Sequence, residues 1–417
     1  MAEKKNTRQM RSAKPGGKKA QPSIQGHRKN IYRKSRYYRQ RQRRIHICLG
    51  ILAILLVLIV GIALHSCSSS TKPASSTETQ DAAVSDKQDI QTGGDTKDTS
   101  SDAEPTPTQA PVTLTVSVVG DCTLGTDETF DYSTSLNAYY ENYGKDYFLQ
   151  NVKSIFQADD LTIANMEGTL TDSTQREDKT FAFKAPASYA GILTSGSVEA
   201  VNTANNHSHD YGEQSFTDTL SALDDAGIVH FGYDETAVMD VKGIKVGLVG
   251  IYELNDHLGR EQQLKDNIAK VKSEDAQLTI VIFHWGNEKE TVPDSNQTTL
   301  GRLAIDLGAD LVCGHHPHVL QGIETYKGKN IVYSLGNFCF GGNSSPSDMD
   351  TMIFQQSFTF DNGTLQDDNV TNIIPCSISS AQGYNNYQPT PAEGDEKTRI
   401  IEKIQERSAM IDTASAS

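Results

Sequence analysis

The chain has 417 residues and a formal net charge of −15. Collagen-like and coiled-coil classes are excluded by composition, and six scattered cysteines make no disulfide framework. The charge is unevenly spread, because residues 1–46 carry sixteen basic residues against one acidic residue, Glu3, leaving 22 of the 38 basic and 52 of the 53 acidic residues to the rest. So acidic a bulk argues against nucleic acid as a partner, since phosphate binding needs clustered Lys and Arg.

In chain order, the basic leader 1–46 is followed by an uncharged apolar run, residues 47–64, reading ICLGILAILLVLIVGIAL. As a helix it spans about 27 Å, close to the hydrocarbon thickness of a bilayer. The run predicts a single transmembrane signal anchor, and its basic flank predicts a cytoplasmic N-terminus with the acidic bulk outside the cell membrane. Leu64-His65-Ser66-Cys67 partly resembles a lipobox, so a lipoprotein processed at Cys67 is the competing reading. Residues 65–112 follow as a Ser/Thr-rich linker without aromatic residues. Such a stretch cannot bury enough apolar surface to offset its ordering entropy and predicts a disordered spacer.

From 113 to 380 short apolar runs alternate with amphipathic stretches. Strands are predicted at Val112–Val119, Leu161–Ala164, Val198–Val201, Lys245–Gly250, Leu278–Phe283, Asp310–Cys313 and Ile331–Ser334, with helices at Glu213–Ala226 and Thr298–Leu307. The alternation predicts an α/β domain. Met352–Phe360 followed by Asp361-Asn362-Gly363 predicts a hairpin. Residues 381–417 read as a polar tail with one helix, Glu396–Met410.

Five predicted strands end in chemistry. Val119 leads to Asp121, Ala164 to Glu167, Val201 to Asn205-Asn206-His207, Phe283 to His284, and Cys313 to His315-His316-Pro317-His318. In an α/β sheet the strand C-terminal ends converge on one edge, where ligands bind. Carboxylate, amide and imidazole together form a ligand set for a divalent ion such as Mn, Fe or Zn. Cys122 and Cys313 lie beside these positions and read as small buried residues or thiolate ligands. Trp285 reads as packing. His209 and His315 carry no assignment. There is no HExxH, G-x-S-x-G or Walker loop.

These motifs resemble those of the bacterial capsule-synthesis CapA family: Gly120–Gly125, Asn165–Gly168, Lys184-Ala185-Pro186, Ala204–His207 with Asp210-Tyr211-Gly212, His284-Trp285-Gly286, Gly314–Val319 and Tyr333–Phe338. Best-known members of that family serve poly-γ-glutamate synthesis, and the family in turn resembles calcineurin-like metallophosphoesterases. The resemblance implies a four-layer α/β/β/α sandwich with one or two divalent metal ions at the sheet edge. It assigns Asp121, Glu167, Asn206, His284, His316 and His318 as ligands, His207 as general acid and Asp210 as its orienting carboxylate. Lys184 is the candidate anion contact. Two positions differ from the phosphoesterase pattern: Thr123 stands where it has His, and Glu167 where it has a bridging Asp. The implied activity is metal-dependent hydrolysis of a phosphoester or of an anionic polymer, beside polymer-synthase membrane proteins. The alternative is a non-catalytic component that binds metal and polymer.

Overall fold

The structure, a computed structural model, describes residues 110–414, which fall in one compact unit of the chain. The leader 1–46, the apolar run 47–64 and the linker up to residue 109 lie outside the described residues. Among the described residues no helix is long and apolar enough to cross a membrane.

Two sheets dominate. The first has Val112–Thr123 near its middle, antiparallel to Asp350–Asp361 on one side and parallel to Leu161–Met166 on the other. Ala200–Asn202 and Val229–Phe231 extend that parallel side, and Val370–Ser377 extends the antiparallel one. The second sheet runs Ile323–Tyr326, Lys329–Val332, Leu311–His315, Leu278–His284, Ile244–Tyr252, Ala237–Val241. Its inner four strands are parallel and its two edges antiparallel.

Strands buried on both faces read as continuous apolar runs, and that is how Leu278–His284 and Leu161–Met166 are buried along their whole lengths. One core lies between the sheets, joining Leu114, Val116 and Ile163 to Leu248, Ile280 and Leu311. A second packs Ile192, Leu193 and Leu223 from helices Ala190–Gly196 and Gly212–Ala226 on the first sheet. A third packs Leu264, Ile268 and Leu300 from helices Glu261–Ser273 and Ser295–Asp306 on the second. The result is a mixed α/β domain with helices outside two facing sheets, consistent with a metallophosphoesterase-like fold.

Boundaries move where local chemistry decides them. The helix expected at Thr298 starts at Ser295, because Asp294 and Gln297 form a capping box. The strand expected at Ile331–Ser334 is Lys329–Val332, paired with Ile323–Tyr326 through a tight turn in which Lys327 and Gly328 both have positive φ. The Asp361–Thr364 turn forms with Asn362 and Gly363 left-handed, and the returning chain pairs along Asp350–Asp361 from Ser377 to Val370.

The sequence reading ends the domain at residue 380. The helix Gly394–Ala414 nevertheless buries Ile400 and Ile404 in the core between the sheets and Ile411 in the third core. These three residues fall at helical spacing, an apolar stripe thin enough to be hidden by the polar composition around it. Asp350 fixes the same helix, accepting from Arg399 at 2.6 Å through both oxygens and pairing with Lys403.

Burial pushes the Asp350 carboxyl up, but the hydrogen bonds and charges of Arg399 and Lys403 outweigh it and hold the group below its usual range. A carboxyl lowered in the folded state adds stability above its unfolded value of about 3.9 and loses it as pH falls through the folded value. Asp350→Asn is expected to cost about 1–3 kcal/mol at pH 7 in urea unfolding. The difference from the parent should close on acidification through that range, and an unchanged midpoint at pH 7 would show that the pairing contributes nothing. Ile400→Ala is expected to cost about 2–5 kcal/mol at either pH.

Candidate metal centre

The first sheet brings Asp121, Asn165 and Asn202 into adjacent register at the C-terminal ends of its parallel strands. The second does the same with His284 and His315. The chain running between the two edges is pinned to both, the Asp121 amide donating to Gly336 O at 3.0 Å and the Leu335 amide to Gly314 O at 3.2 Å. Only glycine fits beside that crossing, since a Cβ on Gly120 would lie 2.1 Å from Gly336 O. Register shifts on either side of Asp121 mark a bulge, a device that re-aims a side chain.

Asp121 is fully buried and densely held. Its Oδ1 accepts from Asn165 Nδ2 at 2.8 Å and lies 3.2 Å from His315 Nδ1. Its Oδ2 lies 3.2 Å from His318 Nδ1 and accepts from the His316 amide at 3.3 Å. Glu167, one residue beyond its strand, differs. Thr123 Oγ1 donates to its Oε2 at 3.4 Å, while its buried Oε1 has no hydrogen-bond partner. Around that Oε1 stand His207, His284 and His318, with Nε2 atoms at 3.9, 3.9 and 3.8 Å.

The loop after Ala200–Asn202 carries the next group. Asn205 pins it, donating to Met166 O at 2.8 Å and accepting from the His207 amide at 3.0 Å. Asn206 Oδ1 lies 2.7 Å from His284 Nε2. His207 Nδ1 lies 2.7 Å from Asp210 Oδ2, which leaves Nε2 facing Glu167. In the last loop His316 and His318 both hold left-handed backbone, with φ of 94° and 56°. Such conformations cost energy in non-glycine residues and cluster at functional sites. His316 Nδ1 is buried without a partner.

The electrostatics follow from two acids in one dry pocket. Burial pushes Glu167 up to about 8, with Asp121 and Asp210 adding to the rise against the pull of His318. Burial also resists charge on His318, but Glu167 and Asp121 overcome it and raise it to about 10. Burial and the neighbouring His318 lower His316 to about 3. Burial likewise lowers His284 and His207, the latter against the pull of Asp210.

These donors fit a divalent ion. Asp121, Glu167 and His318 offer atoms within 4.8 Å of one another, and so do Glu288, His316 and His318. Glu167 Oε1, without a hydrogen-bond partner of its own, faces three imidazole nitrogens at 3.8–3.9 Å, a gap that a cation between them could bridge. Burial pushes Cys122 up to about 12 and raises Cys313 further, so both remain thiols packed in the cores. Trp285 is buried, stacks on Phe283 at 4.2 Å and donates to Tyr333 O.

Lys184 is not brought to the cluster. It lies within the short strand Phe183–Ala185, opposite Thr126 and Thr169, and its ammonium turns to Ser173 O at 2.8 Å and to the Tyr211 ring. The cation at the site is Lys179, which donates to Asp210 Oδ1 at 2.6 Å and to Asn206 O at 2.9 Å. Lys179 comes from an irregular loop with no sequence signal. Asn165 and His315, which sit inside the motifs Asn165–Gly168 and Gly314–Val319 without an assigned role, and Glu288, two residues after His284-Trp285-Gly286, also stand at the cluster.

The sequence profile described as "Bacterial capsule synthesis protein PGA_cap" matches residues 115–342, more than half of the chain. The chain is 32% identical over 251 residues to the PGA biosynthesis protein CapA of Bacillus subtilis (strain 168), covering 54% of this chain and 63% of that protein. It is 28% identical over 291 residues to the capsule biosynthesis protein CapA of Bacillus anthracis, covering 64% and 67% respectively. It is also 29% identical over 217 residues to a probable polyglutamine synthesis accessory protein of Mycobacterium tuberculosis (strain CDC 1551 / Oshkosh), covering 43% and 55%. The chain thus spans less than two thirds of the length of the Bacillus subtilis relative. All five strand ends that build the cluster lie inside the profile match, and the chain belongs to the bacterial capsule synthesis family PGA_cap, the CapA family.

Proposed function

We propose that this chain is a membrane-anchored, extracytoplasmic metal-dependent hydrolase acting on an anionic substrate in capsule or poly-γ-glutamate synthesis. The observation that carries the reading is Glu167 Oε1, buried, unpaired and ringed by three imidazole nitrogens at 3.8–3.9 Å. An orphaned buried carboxylate oxygen is costly unless a cation meets it. The relatives' names, which refer to PGA and capsule biosynthesis, support the polymer context. The apolar run 47–64 and its basic flank support the anchor and the outward orientation.

Asp121, Glu167, Asn206, His284, His316 and His318 would hold the ion, Mn, Fe or Zn, in one or two positions. A bound divalent ion supplies Lewis acidity toward a substrate oxygen. The protein's own groups do the rest. Asp210 accepts from His207 Nδ1 and keeps the ring turned so that Nε2 faces the cluster. An imidazolium there, steadied by Asp210, gives its Nε2 proton to the leaving group. Lys179 ties Asp210 to the Asn206 backbone, so general acid and amide ligand move as one unit.

One observation favours a second reading, a metal- and polymer-binding component without turnover. Thr123 fills a position that holds imidazole in the phosphoesterase pattern, and its hydroxyl sits 3.4 Å from Glu167 Oε2. Elemental analysis together with a generic phosphodiester assay separates the two. Purified protein is expected to carry stoichiometric divalent metal and to turn over. His207→Ala should keep the metal and lose about 100- to 10,000-fold in kcat. Retained activity in that variant would defeat its assignment, and metal without turnover in the parent would select the second reading. Replacing both Asp121 and His318 with Ala should strip the metal from folded protein. Full metal content in that variant would remove the proposed centre.

A further inference from the structure

A cleft of about 470 Å³ opens beside the cluster, with His207 and His318 in its lining. That volume lies in the range of about 300–1,000 Å³ usual for small-molecule sites. One wall is aromatic. Phe181 and Phe183 lie nearly parallel, with centroids 6.3 Å apart, Phe130 meets both edgewise or tilted, and Phe183 lies 4.6 Å from the His207 ring. Phe340 continues the wall beside His318, 5.7 Å away. Phe181 is 47% exposed. A half-exposed phenylalanine at the head of a wall leading to the proposed general acid is not explained by core packing.

The charges of the cleft decide what it holds. Its lining has one lysine, Lys289, and no arginine, against the carboxylates Asp131, Glu288 and Asp348. Asp348 is paired with Lys403 at 3.3 Å, which leaves Asp131 and Glu288 facing Lys289 and the imidazoles of His207 and His318. A polyanionic chain laid along it would find no excess of base to hold it. An acyl chain would satisfy the phenylalanines but offer nothing to the Asn343 amide and the Ser344 hydroxyl that share the lining. A sugar ring meets both demands. Its C–H face is positive toward the negative face of an aromatic ring, and its hydroxyl edge pairs with amides, hydroxyls and carboxylates.

We propose that this cleft binds a neutral saccharide, with Phe181 as its stacking platform, and that the substrate is a phosphate ester of that saccharide. The ester part rests on the hydrolase reading above, whereas the saccharide site does not. In the reaction, water oxygen joins phosphorus and the phosphorus–oxygen bond to the sugar breaks. The sugar oxygen leaves as a hydroxyl with the proton from His207 Nε2, and the proton released from water returns His207 to its starting state.

Binding and turnover test the two parts separately, using the full chain in lipid nanodiscs. Titration calorimetry with the N-acetylglucosamine trimer is expected to show binding that weakens about fivefold in Phe181→Ala and is kept in Phe181→Tyr. A γ-linked glutamate hexamer is expected not to compete. No trimer binding, binding indifferent to Phe181→Ala, or displacement by the hexamer would each overturn the saccharide site. In phosphate release, kcat/KM for N-acetylglucosamine 1-phosphate should exceed that for ethyl phosphate. That ratio should fall about fivefold in Phe181→Ala, through KM. Trimer binding with neither ester hydrolysed would leave the saccharide site standing and overturn the ester assignment along with the hydrolase reading. Equal turnover of both esters would overturn the ester assignment while sparing the hydrolase.

Discussion

Asp121 and Glu167 put two fully buried carboxylates beside one imidazole, His318, which lies 3.2 Å from the first and 3.8 Å from the second. Like charges at such range in a dry pocket cannot both persist without a cation between them. Without a metal ion the protein answers with protons, on His318, which the two acids raise to about 10, and on Glu167, which burial pushes up to about 8. A divalent ion would meet the same demand with more charge and would have to expel those protons, so binding and deprotonation are one event. Much of the surrounding structure serves to keep these groups close. The Gly120–Gly336 crossing, the bulge at Asp121 and the left-handed backbone of His316 and His318 all bring donors nearer than relaxed strands and loops would.

The two-sheet architecture explains how such a pocket stays dry and rigid. The clustered side chains arrive from both sheets, so neither alone could build the cluster, and the core between the sheets sets their separation. The most solvent-facing parts of the constellation are the loop bearing Asn206 and His207 and the loop bearing His316 and His318. These are tied back by Lys179 and Asn205 on one side and by Asn337, whose Oδ1 lies 2.9 Å from His318 Nδ1, on the other. The cleft opens on this side, where Phe183 and Phe340 stand next to His207 and His318.

Much of this was legible in the sequence, for a physical reason. Strands buried on both faces leave uninterrupted apolar runs, and a polar residue directly after such a run must sit at the sheet edge. Asp121 and His284 stand out on that ground, His316 and His318 follow within three residues of such a strand, and the structure brings them together with Glu167, Asn206 and His207. What the sequence hid depends on contacts between distant segments. Lys179 and Lys184 are five residues apart and equally plausible on paper, but strand pairing turns Lys184 toward Ser173 while the loop delivers Lys179 to Asp210. His315 looked ordinary because its role is to stand 3.2 Å behind Asp121, a relation across 194 positions of chain. The closing helix was masked by its own polarity, since three isoleucines in a charged segment read as surface.

That helix bears on how the domain is made. Ile400 and Ile404 share the inter-sheet core with Leu114 and Val116, so residues near both ends of the described segment complete the same core. Contacts of such long separation form late. Until residues 394–414 dock, the two sheets lack part of the packing that holds them face to face, and the clustered side chains at their edges lack a fixed spacing.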